Sequence, residues 1–154
     1  LVLERWVADE LVVFCAPNHP LAVRRLATAD ELAEEQWIVR ETGSGTRETF
    51  NQALRHVSWR PRIRLELEHT EAIKRAVEFG LGIGCISRLA LREAFRRGSL
   101  VPIDTPALDL QRNFHFLWHR RKFHTAGMSE FITLCRTMTA GAQCSDQIAW
   151  PSIA

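Results

Sequence analysis

Residues 37–50 read W-I-V-R-E-T-G-S-G-T-R-E-T-F, and the order of residue types in this stretch decides the fold. Trp37, Ile38 and Val39 form a short apolar run suited to a buried strand. Beyond the loop, Phe50, Ala53, Leu54 and Val57 recur at i, i+3, i+4 and i+7, the apolar stripe of a helix that begins near Thr46. A strand that passes through a glycine turn into a helix is the repeating unit of α/β proteins, and the turn then lies at the carboxyl edge of the sheet, where ligands bind. The first turn of the helix exposes N–H groups without internal partners, and their field resembles about half a positive charge. Gly43 and Gly45 let an oxyanion approach the backbone, Ser44 and Thr46 add hydroxyls, and Arg47 adds charge. The other reading of the same residues is plain capping, with Ser44 or Thr46 serving the helix and Glu48 occupying its positive end. The loop has neither the lysine of a P-loop nor the G-x-G-x-x-G spacing.

Outward from this loop the pattern repeats. Residues 11–16, L-V-V-F-C-A, are continuously apolar before Pro17, as in a parallel strand covered on both faces. Residues 18–22 carry turn chemistry, and Thr28 caps a short helix with acidic residues in its first turn. Downstream, residues 62–68 alternate polar and apolar, which predicts an edge strand whose arginines and glutamates discourage aggregation. A helix follows from Thr70 to Phe79 with Ile73, Ala76 and Val77 inward and Gly80 as its stop. Strands are predicted at 83–86, 100–103 and 114–118, and helices at 89–97 and 129–138. Residues 141–154 have no period and are expected to be loosely held. The class is α/β with a mainly parallel sheet.

Bulk properties exclude several function classes. The 154 residues are 46% hydrophobic and 25% charged, with 20 basic against 18 acidic side chains. Such a balance gives no electrostatic case for nucleic-acid or membrane binding. No apolar run is long enough to span a membrane, and residues 1–10 do not resemble a signal peptide. Cys15, Cys85 and Cys135 sit in apolar segments, Cys144 lies apart, and no C-x-x-C pair occurs, so a reducing cytoplasm fits better than a disulfide framework. The chain opens on Leu1, with methionine only at 128 and 138, and reads as a piece of a longer protein.

The loop R-E-T-G-S-G-T-R-E-T-F at 40–50, followed by E-H-T-E-A-I-K-R-A-V-E-F-G-L-G-I-G-C-I-S-R at 68–88, resembles the effector-binding domain of LysR-type transcriptional regulators. The stretches D-E-L-V-V-F-C-A-P-N-H-P-L-A, G-S-L-V-P-I and F-H-F-L-W-H-R-R-K are similar to further motifs of that family, so the likeness covers about residues 9–138. Its wording is closest to the branch that regulates sulfur assimilation. The resemblance implies a type II periplasmic-binding-protein-like fold of two Rossmann-like lobes. Residues 14–113 would form one lobe, 1–13 with 114–140 part of the other, and 141–154 a tail. It implies that Ser44, Gly45, Thr46 and Arg47, with His69 and Thr70 from the next strand–helix turn, meet a small anionic effector such as sulfite. It further implies a cytoplasmic dimer or tetramer that reaches DNA only through an N-terminal winged helix-turn-helix absent from these residues. An opening portion of the first lobe would also be absent, and apolar surface would stand exposed in its place.

Other constellations are weaker. On a strand His115 and His119 share a face but stand about 13 Å apart by strand rise, too far for one metal ion, and His124 adds no carboxylate. Arg120, Arg121 and Lys122 read as a solvated loop. Ser44 has no base within sequence reach, and no nucleophile elbow, carboxylate pair or cofactor motif occurs. The reading is therefore a sensor rather than an enzyme, with no cofactor and no metal. The alternatives are a transferase or dehydratase holding its substrate's phosphate or carboxylate on residues 43–46, or a transport solute-binding protein.

Overall fold

One strand organises the whole chain. In the computed structural model, which describes residues 1–149, β1 (Val2–Cys15) runs for 14 residues. Its first half pairs antiparallel with β6 (Gln111–Trp118), from Val2 opposite Trp118 to Glu10 opposite Gln111. Its second half enters the main sheet between β4 (Ile83–Ser87) and β5 (Val101–Ile103), antiparallel to both. There β2 (Gln36–Arg40) lies parallel to β4 and to β3 (Arg62–Leu67), giving the order β3-β2-β4-β1-β5. The sheet is thus mixed, not mainly parallel. The apolar run at 11–16 is buried on both faces as expected, but by an antiparallel strand; apolar continuity reports burial and not direction.

Alternation in the strands sorts the helices. Leu11, Val13 and Cys15 of β1, with Trp37, Val39, Ile83 and Cys85, face α3 (Gly45–Leu54) through Phe50, Ala53 and Leu54. Val12, Phe14, Ile38 and Ile86 face the other way, against Ile73, Ala76 and Val77 of α4 (Thr70–Glu78) and Leu91 and Ala94 of α5 (Arg88–Arg97). The two layers are held apart by little free space. A Cβ added at Gly82 would stand 2.3 Å from the Gln36 carbonyl oxygen, so only glycine fits where β4 begins.

Turn chemistry built two short helices. Residues 18–22, read as a turn, lead into α1 (Leu21–Arg24), four residues that are too few to show a period. Thr28 caps α2 (Ala29–Glu34) in a capping box with Glu31, whose carboxylate also takes Arg24 at 2.6 Å. The Thr28 N–H and then Arg24 hold the Glu31 carboxyl down to about 2 from an ordinary 4.5. A lowered folded-state value contributes stability above pH 4.5 that is lost as pH falls toward 2. Thermal melts should therefore show Glu31→Gln less stable than wild type at pH 7, with the gap closing across that window.

The last elements pack on the β1–β6 ribbon. A bulge at Trp6 turns its indole onto α6 (Ala126–Met138), where it donates to the Cys135 carbonyl at 3.2 Å and stacks on Phe116. Leu3 and Leu117, paired across this ribbon, and Phe131 and Leu134 of α6 remain 50–64% exposed. The segment after 141 is not loose as far as it is described. A 3-10 turn at Ser145–Gln147 buries Ser145 completely and Ile148 almost so, while residues 150–154 lie outside the described residues. No helix among the described residues is long and apolar enough to cross a membrane.

Candidate anion-binding site

The strand–helix turns after β2, β3 and β4 all open at the carboxyl ends of their strands, so the N-termini of α3, α4 and α5 gather along one edge of the sheet. Helices α3 and α4 start from neighbouring strands and leave toward opposite faces, the arrangement that creates a crevice in α/β sheets. Gly43 makes the turn before α3 with φ 93°, a conformation that side chains disfavour.

Ser44 is the N-cap of α3, and its hydroxyl oxygen accepts from the N–H groups of Thr46 at 3.2 Å and Arg47 at 3.5 Å. Two of the amides expected to meet an anion are therefore taken by the protein itself, as the capping reading had it. The Gly45 N–H, on an exposed residue, meets no acceptor among the described residues. Arg47 turns back into the fold: its guanidinium donates to the Arg40 carbonyl at 2.8 Å, Glu66 at 3.0 Å and Asn51 at 3.1 Å. It anchors α3 to β2 and β3, with Nε and Nη1 committed to the protein's own acceptors. His69 occupies the N-cap of α4 without a side-chain cap bond, and the N–H groups of Thr70, Glu71 and Ala72 have no acceptor among the described residues. Arg40 holds the neighbouring Glu41 carboxyl below its ordinary value, and His69 adds to that effect, so the His69 turn lies close to the turn after β2.

The group that sequence reasoning missed is Arg112. From β6 its Nη1 donates to the Thr46 hydroxyl at 3.3 Å while its Nε donates to Asp9 at 2.5 Å. Nη2 has no partner among the described residues, and the guanidinium lies over the Phe114 ring at 5.0 Å. Asp9 is fully buried and also accepts from Ser87 at 2.7 Å and Ser145 at 2.5 Å. Asp9 and Arg112 stand directly opposite each other in the β1–β6 ladder. Neither charge stands out in the sequence, since Asp9 is followed by Glu10 midway along β1, and linking it to Arg112 required the register.

The assembled edge offers the unpaired N–H groups of Gly43, Gly45 and the first turn of α4, one threonine hydroxyl and a cation aimed by a buried carboxylate. It is an open edge and not a cavity. A half-open cleft of about 360 Å³ between β1, β5 and residues 104–110 is lined by Glu10, Val12, Arg25, Arg88 and Asp104 and by none of these groups. Nucleophilic chemistry has little support. Burial pushes the Cys85 thiol far above its ordinary value, which the Arg112 charge only partly offsets, and no histidine or carboxylate bonds Ser44. His119 accepts from the Arg121 N–H, and His124 packs edge-on against Trp118.

The sequence model of the LysR substrate binding domain matches residues 1–140. An uncharacterized HTH-type transcriptional regulator of Escherichia coli, YeiE, is 39% identical over 135 residues, 88% of this chain and 46% of that protein. The HTH-type transcriptional regulator CysL of Bacillus subtilis is 28% identical over 137 residues, 89% of this chain and 46% of that protein. The chain thus spans about half the length of the curated relatives it matches. Among solved structures, the regulatory domain of Synechocystis CcmR in complex with 2-PG superposes with a TM-score of 0.82 at 28% identity, covering 92% of this chain and 68% of that one.

Proposed function

We propose a role that proceeds from one premise: the chain belongs to the family of LysR substrate binding domains. It is the effector-sensing part of a transcriptional regulator, and its effector is a small anion held where α3 begins. The observation that carries this reading is the contact of Arg112 with Thr46 at 3.3 Å, beside the open Gly45 N–H. A guanidinium oriented by a buried carboxylate, next to a helix N-terminus, favours a charged oxygen ligand over a neutral one. Ser44 shapes the turn, Gly45 and Thr46 with Arg112 contact the anion, and His69 and Thr70 approach it from the neighbouring uncapped helix. Arg47 has no part in the contact.

In this reading residues 14–113 form one lobe, and 1–13 with 114–140 belong to the other. The exposed Leu3 and Leu117 of the ribbon and Phe131 and Leu134 of α6 are where the further length of such a regulatory domain packs. The likeness to CysL, together with the loop wording, favours a sulfur oxyanion such as sulfite. The anion acts by binding one arrangement of lobes or subunits better than another, since only differential affinity shifts an equilibrium. DNA is met through a separate winged helix-turn-helix, in a cytoplasmic dimer or tetramer.

Calorimetric titration of the intact protein with sulfite, sulfate, thiosulfate and O-acetylserine tests the reading. One of the oxyanions should bind, and Thr46→Ala should weaken it by about 1–3 kcal/mol, the range for a hydrogen bond to a charged group. Binding by none of the four, with a transfer or hydrolysis activity found instead, would replace the sensor with an enzyme.

A further inference from the structure

The chain's last described turn reaches the support of this site. Ser145 is fully buried and its hydroxyl donates to Asp9 Oδ1, the carboxylate whose other oxygen holds Arg112 Nε. The contacts run without a break from the 3-10 turn through Asp9 and Arg112 to the Thr46 hydroxyl at the head of α3. Ser87 joins the same oxygen of Asp9 while capping α5, so three separate elements converge on one carboxylate.

We propose that the C-terminal turn is a latch on the anion site: Ser145 is a positioning residue that acts through Asp9 on Arg112, so docking of the turn and binding of the anion favour each other. The inference rests on reading the Thr46–Arg112 edge as an anion site. Withdrawing Ser145 leaves Asp9 Oδ1 with Ser87 as its remaining donor. The carboxylate then turns to recover a partner and releases its hold on Arg112 Nε, which sets where Nη1 and Nη2 point. A buried charge that loses a donor bears the full cost of the missing bond.

The turn is built to come and go. It is held by burial of Ile148, by Arg92 donating to the Asp146 and Ile148 carbonyls at 3.1 Å each, by the Ala149 N–H donating to the Met138 carbonyl at 3.3 Å, and by the Ser145 bond. Against these, Asp146 Oδ1 is buried without a hydrogen-bond partner. A docked segment with one unsatisfied carboxylate oxygen and few buried apolar side chains opens at low cost, as regulatory segments must. Coupling of two sites is reciprocal, so the anion must hold the turn as firmly as the turn holds the anion site.

The test is made on the intact protein with the same four compounds. Ser145→Ala should weaken the bound anion by about 5- to 20-fold, within the usual range of coupling between sites. Arg92→Gln, which loosens the turn and touches neither Asp9 nor Arg112, should weaken it in the same direction, and it decides the matter if Ser145→Ala fails to fold. Saturating anion should slow amide hydrogen exchange at residues 143–149, an effect that a merely structural role for the turn does not produce. Wild type that binds an anion with affinity unchanged in both variants, or with exchange at 143–149 unchanged by ligand, overturns the latch and leaves the anion site standing. Wild type that binds none of the four overturns both.

Discussion

Replacing Arg112 by glutamine lowers anion affinity by about 10- to 100-fold, the equivalent of one hydrogen bond to a charged group. The same change leaves Asp9 buried and ionised without its cation, and breaking such a pair costs about 3–5 kcal/mol. The lower end applies here because the Arg112 side chain is 18% exposed and water replaces part of what the carboxylate loses. The two effects separate in a double variant. Asp9→Asn with Arg112→Gln removes both charges and should recover much of the stability, since a neutral polar pair needs no counterion, while affinity stays low. Urea unfolding gives the first quantity and calorimetric titration the second. Recovery of affinity in the double variant would show that Arg112 serves only to neutralise Asp9.

Trp37→Ala is expected to remove about 3–5 kcal/mol of stability, the range for truncating a large aromatic in a packed core. Trp37 is fully buried, its ring centroid lies 5.0 Å from Phe50 and 6.0 Å from Trp59, and its indole donates to the Leu32 carbonyl at 3.0 Å. The loss therefore reaches α2, β2 and α3 together. Because Phe50 fixes how α3 lies on the sheet, the Gly45–Thr46 turn should shift as well, and affinity measured without denaturant should fall. Trp37→Phe keeps most of the ring volume but strands the Leu32 carbonyl, and should cost about 1–3 kcal/mol. Equal losses in the two variants would mean that the hydrogen bond, and not the packing, dominates.

Much of this architecture was legible in the residues because each element announces itself locally. The stripe Phe50, Ala53, Leu54 and the cap at Ser44 bound α3 from within a dozen residues, and the alternation at 62–67 identified an edge strand that stands at the end of the sheet. What was hidden depends on partners far along the chain. The first half of β1 mixes charged and apolar residues because, in a two-stranded ribbon with β6, one face packs on α6 and the other stays open. The Asp9–Arg112 pair, 103 residues apart, exists only once that register is known. Arg47 looked like a ligand because its number placed it in the first turn of a helix. Its long side chain instead runs back to Arg40 and Glu66, and spacing along a chain does not say which way seven torsion-linked atoms lie. The turn at Ser145–Gln147 gave no sign of order, since one hydroxyl and one isoleucine hold it in place of a periodic face.

The turn at Gly43–Thr46 also shows how two readings of one motif can both apply. Ser44 caps α3 and takes the Thr46 and Arg47 amides, which leaves the Gly43 and Gly45 N–H groups without an acceptor among the described residues. A bare helix end would hold an anion weakly. The cation delivered from β6 adds a full positive charge beside that helix end. In the proposed two-lobe reading, binding at this turn is thereby tied to the crossover strands, where a change of lobe packing begins.

The central claim is that the anion sits between α3 and Arg112. Crystals of the intact protein grown with selenate, a heavy analogue of sulfate, locate it by anomalous scattering. A selenium peak with oxygens in hydrogen-bond reach of the Gly45 N–H, the Thr46 hydroxyl and Arg112 Nη2 is the predicted result. Selenate bound elsewhere in the crevice, with Arg112 still closed on Thr46 and no oxygen near Gly45, would contradict it.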